Sequence, residues 1–104
     1  ESRDVEMPSL HRTVTVFHRQ GLHARPAALF VQTAKRFASR VTVKKGRKIV
    51  DGKSIMGLLT LAAKQGARIS IATEGPDAAE ALEQLITLVT EPLPESSTPI
   101  ANRS

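Results

Sequence analysis

Cysteine, tyrosine and tryptophan are absent, and three phenylalanines are the only aromatic residues. The missing thiols exclude disulfide staples and cysteine catalysis, and fit a reducing compartment. The missing aromatic rings leave almost no stacking surface for nucleobases. A core must therefore be built from Val, Ile, Leu and Ala. No apolar run approaches the roughly 20 residues a membrane span needs. The polar opening ESRDVEMPSL carries no signal-peptide pattern. The expectation is a cytoplasmic protein with no membrane insertion, no metal site and no cofactor.

What is present fits one compact domain of 104 residues with a formal net charge of +5. That charge favours acidic or phosphorylated partners. The basic residues are scattered, and the one cluster, VKKGRK (Val43 to Lys48), reads as a solvated hairpin tip. With no recognition helix and few aromatics, nucleic acid is not an expected partner. Residues 1 to 10 read as an N-terminal tail and 11 to 90 as the domain. Residues 91 to 104, EPLPESSTPIANRS, read as a disordered tail, because three prolines and four Ser or Thr cannot order a core.

Within the domain, RTVTVFH alternates with period two and predicts a strand. From Pro26 the period changes. Ala27, Phe30, Val31, Ala34 and Phe37 recur at helical spacing, with Lys35 and Arg36 expected in the last turn. RVTVKK is a second strand, GR a turn and KIV a third strand, closed by Asp51 and Gly52. KSIMGLLTLAAKQG predicts a second helix, capped by Ser54, stopped at Gly66 and buried through Leu58, Leu61 and Ala62. ARISIAT is a fourth strand, with Ile69 and Ile71 on one face. EGPDAAEALEQLITLV is the last helix, with a capping box from Asp77 to Glu80 and a stripe of Ala81, Leu82, Leu85, Leu88 and Val89. The order β-α-β-β-α-β-α implies an α+β fold of two layers: a four-stranded sheet with helices on one face and the other face wet.

The stretch GLHARPAALF (Gly21 to Phe30) places a histidine and an arginine where the first helix begins. With His23 as cap, the amides of Ala24 and Arg25 have no intrahelical acceptor, and the helix dipole adds to their pull on an anion. The Arg25 guanidinium matches phosphate geometry. Pro26 has no N–H to leave unsatisfied. The same field disfavours imidazolium, and the neutral ring is the nucleophile. An imidazole that attacks phosphorus becomes a phosphohistidine, whose new charge lands where the amides and Arg25 already point. His11 and His18 read as surface residues without defined partners. Ser54 has a sufficient structural role as a cap. Ile55 and Met56 follow it at once, and pattern alone leaves open whether they are core or a docking patch. A phosphate on Ser54 would disturb binding at such a patch more than folding.

GLHARPAALFVQTAKRF, then KSIMGLLTLAAKQGARISIATEG and an amphipathic final helix, closely resembles the HPr family over residues 11 to 89. These are the histidine-containing phosphocarriers of the bacterial phosphoenolpyruvate:sugar phosphotransferase system. The resemblance implies an open-faced sandwich, a four-stranded antiparallel sheet covered by three helices. It implies that His23 takes a phosphoryl group on Nδ1 from phosphorylated enzyme I and passes it to a histidine of an enzyme IIA during sugar uptake. Arg25 matches the arginine that contacts phosphate, and Ser54 the serine modified by HPr kinase/phosphorylase. Ile55, Met56 and Leu59 fall where the family docks its partners, with Lys35 at a nearby basic position. Family members that lack the histidine are regulators only. The alternative is thus a serine-phosphorylated co-regulator of a transcriptional regulator, or a nitrogen-type branch. The expected protein is a monomer and a carrier rather than an independent turnover catalyst. Its terminal extensions and Gln20 depart from typical members.

Overall fold

A computed structural model describes residues 8 to 92. The elements are β1 (Ser9–Thr15), α1 (Ala24–Ala34), β2 (Arg40–Lys45), β3 (Lys48–Asp51), α2 (Ile55–Leu61), β4 (Arg68–Glu74) and α3 (Ala78–Thr90). The strands form one antiparallel sheet in the order β1-β4-β2-β3, so the last strand in sequence lies between the first and second. This is the expected open-faced α+β sandwich.

The alternation in the strands decides the faces. Val14 faces Ile69, Val43 faces Ile71, and Val41 faces Thr73 across the ladders. The apolar side chains among these meet Phe30 and Val31 of α1, Leu58 and Leu61 of α2, and Leu82, Leu85 and Val89 of α3 in one core. The intervening residues, among them Thr13, Ser70, Thr42 and Lys44, lie on the opposite face. There the Thr13 and Ser70 hydroxyls pair at 2.8 Å.

Several local expectations are corrected. β1 takes in Ser9 and Leu10, two residues assigned to the N-terminal tail. Residues 1–7 of that tail and residues 93–104 of the C-terminal one lie outside the described residues. α1 ends at Ala34 with Lys35 as its C-cap; Lys35 and Arg36 are not in the last turn, and Phe37 is buried from the following loop. α2 stops at Leu61, five residues before Gly66, through Ala62 in the left-handed region at φ 55. This early stop leaves Ala62 exposed and frees the Ala63 carbonyl for the Leu22 amide, 2.8 Å away. Leu88 is half-buried.

The α3 capping box does not form: Asp77 occupies the cap position but makes no side-chain cap bond. Its carboxylate instead accepts from the Ser39 hydroxyl (2.5 Å), the Ser39 amide (2.9 Å) and the Ala38 amide (2.9 Å). The carboxylate is turned to the α1–β2 loop and away from the first-turn amides of α3. The Ser39 hydroxyl, then the Ala38 amide, hold the Asp77 carboxyl below the usual aspartate range.

Candidate functional site: the start of α1

The segment from Val16 to Leu22 carries the chain from β1 to α1, and it is held at several points. Gly66 N–H donates to Val16 O (3.0 Å), Gly21 N–H to His18 O (2.8 Å) and Leu22 N–H to Ala63 O (2.8 Å). Gly21 sits at φ +74, and a Cβ there would run into the Ala63 carbonyl and stand 2.8 Å from Lys64 Cα. Only glycine fits both the torsion and the close approach.

His23 is the N-cap of α1, with extended backbone (φ −102, ψ −154), and its carbonyl accepts from Ala27 N–H at 2.8 Å. Its side chain makes no cap hydrogen bond and is exposed. A ring that caps nothing keeps its nitrogens available for chemistry. Ala24 and Arg25 are the first two residues of the helix, both exposed, and neither amide has an intrahelical acceptor. Pro26 follows in the first turn. The structure thus brings His23, the two amides and Arg25 together at one solvent-facing helix start.

Ser54 caps α2: its hydroxyl oxygen accepts from Gly57 N–H at 3.0 Å. Leu58 is fully buried, whereas Ile55, Met56 and Leu59 are 40%, 66% and 36% exposed, which removes the core alternative for Ile55 and Met56. Two ties place α2. Lys53 Nζ donates to Phe37 O (2.8 Å) beyond the C-terminal end of α1, and Leu22 N–H reaches Ala63 O beside His23. The exposed apolar side chains therefore lie along a helix joined to α1 at both ends. Lys35 stands at the end of α1 remote from His23, about 16 Å along a helix of 11 residues.

Two surface grooves, one of about 390 Å³ between α1 and α3 and one beside Gly75, are not lined by His23 or Arg25. No group of three potential metal ligands occurs among the described residues, and no helix among them is long and apolar enough to cross a membrane.

The sequence reading missed His18. It is buried, 8% exposed, and its Nε2 lies 2.6 Å from Leu88 O. Its partner lies 70 residues away, so no local pattern marks it. The one available signal was its place three residues before the glycine of the loop.

Residues 10–91 match the model of the family described as "PTS HPr component phosphorylation site". The HPr-like protein Crh of Halalkalibacterium halodurans is 49% identical over 80 residues, covering 77% of this chain and 95% of that protein. A crystal structure of the phosphocarrier protein HPr from Bacillus anthracis superposes with a TM-score of 0.76 at 49% identity, covering 78% of this chain and 96% of that one. Crh, the Bacillus subtilis catabolite repression protein, crystallised as a domain-swapped dimer. It gives 0.64 at 50% identity, over 73% of this chain and 87% of that one. With the family match spanning residues 10–91 and these relatives 49–50% identical over most of the chain, the chain belongs to the HPr family of the phosphotransferase system.

Proposed function

We propose that this protein carries a phosphoryl group on His23 in the cytoplasm, from phosphorylated enzyme I to an enzyme IIA, in sugar uptake. The observation that carries this reading is the exposed His23 ring at the start of α1, which serves no structural bond. In the transfer, Nδ1 of the neutral ring attacks phosphorus. The bond from phosphorus to the donor breaks, and its electron pair stays with the donor. The first-turn amides and Arg25 meet the charge that arrives. The onward step is the same exchange in reverse, so positioning and electrostatics suffice. Ile55, Met56 and Leu59 supply the partner surface, and Lys35 a basic position beyond it.

Ser54 is proposed as the regulatory phosphorylation site for an HPr kinase/phosphorylase. The likeness to Crh supports a second role as a serine-phosphorylated co-regulator of a transcriptional regulator; His23 favours the carrier role. A monomer is proposed, in which β1 closes the sheet on β4 of its own chain over seven residue pairs. Light scattering tests it against the swapped dimer.

Intact mass before and after phosphoenolpyruvate and enzyme I tests the carrier role. The expected result is one acid-labile phosphoryl group, absent in His23→Ala and removed by an enzyme IIA. A chain that stays unmodified, or a label indifferent to His23→Ala, contradicts it.

A further inference from the structure

The last turn of α3 ends beside the loop that leads to His23, and its terminal carbonyls need partners from outside the helix. Glu91 N–H serves Thr87 O at 3.0 Å. Phe17 N–H serves Val89 O at 2.9 Å, and the His18 ring serves Leu88 O at 2.6 Å. A carbonyl only accepts, so His18 Nε2 carries a proton in this contact. The backbone oxygen of the same residue accepts from Gly21 N–H at 2.8 Å. His18 therefore joins two things: its side chain grips the end of α3, and its carbonyl sets the turn that delivers Gly21, Leu22 and His23.

We infer that His18 is a positioning residue for phosphoryl transfer at His23, acting through its Nε2–H bond to Leu88 O and the His18–Gly21 turn. The inference rests on the carrier reading above. It does not touch the phosphoryl group; it holds the loop so that the His23 ring meets the donor in a reactive pose. A loop that lost the His18 grip on Leu88 would keep the Phe17 N–H bond to Val89 O and the proposed docking surface, because Ile55, Met56 and Leu59 belong to α2. The loss would fall on the transfer step rather than on encounter.

The test compares wild type, His18→Gln and His18→Leu as acceptors from phosphorylated enzyme I. Glutamine keeps an N–H donor near the Nε2 position; leucine keeps bulk and removes the donor. Thermal melts and circular dichroism establish folding. The expected H18L protein has an unchanged KM for enzyme I and a kcat about tenfold lower, as a small misplacement produces. Its Gly21 amide exchanges faster, and H18Q restores both. If H18L fails to fold, His18→Asn, whose amide ends short of Leu88 O, takes its place against H18Q. A folded H18L that is phosphorylated as fast as wild type overturns the role of His18 alone. So does H18Q as slow as H18L. Wild type that takes no phosphoryl group overturns the carrier reading itself.

Discussion

Gly21 shows how tightly a single residue can be specified. Its φ of +74 and its approach to Ala63 leave no room for a Cβ. Gly21→Ala is expected to lower stability by more than about 1 kcal/mol. It should also slow phosphorylation of His23, because the clash can be relieved only by moving the loop. Calorimetry and acceptor kinetics on the same variant check both effects. Asp77 makes a pH-dependent contribution. Its carboxyl is held below the ordinary value of about 3.9. A lowered native value means stability that is present above that ordinary value. It is lost as pH falls through the native one. Asp77→Asn is therefore expected to lower Tm at neutral pH, with the gap to wild type closing in acid. A gap that persists unchanged into acid contradicts the assignment. The Asp77–Ser39 lock was not legible in the sequence, where D-x-x-E reads as a capping box. The competitor was a loop 38 residues away, and only the fold reveals it.

Among the elements, α2 carries the proposed docking surface on only seven residues. So short a helix is not stable alone, and its ends are held from outside. Ser54 holds the first turn. At the other end Lys48 Nζ reaches Thr60 O at 3.1 Å, where a cation suits the helix dipole. Ser54→Ala is expected to cost about 1 kcal/mol. Ser54→Asp retains a good capping oxygen, so its Tm should stay close to wild type while affinity for enzyme I falls. Thermal melts beside titration calorimetry separate the two. A Ser54→Asp protein that melts as low as Ser54→Ala contradicts the division between capping and docking. The start of α2 was legible because a serine before an apolar run has a local mechanism. Its end was not. Ala62 adopts a left-handed conformation that nothing local announces, and it does so where the chain must turn to offer Ala63 O to the loop at His23.

For the whole molecule, period-two and helical patterns in the sequence named every element and their order, because each buries one face against a common core. Sheet order and register are products of long-range pairing and were not legible in the sequence; the family resemblance supplied only the antiparallel arrangement under three helices. Leu85, fully buried in that core, offers a control. Leu85→Ala is expected to cost about 2–5 kcal/mol while leaving His23 phosphorylatable in the folded fraction. The net charge of +5 favours acidic partners. Transfer from enzyme I below saturation should therefore slow as salt rises.

The exposed cap histidine of α1 can be examined directly in the phosphorylated, nitrogen-labelled protein by correlated phosphorus and nitrogen resonance. The expected spectrum shows phosphorus bonded to Nδ1 of His23, with the Ala24 and Arg25 amide signals shifted as they take up the new charge. Phosphorus on another residue, or on His23 with both amides unmoved, would contradict the account.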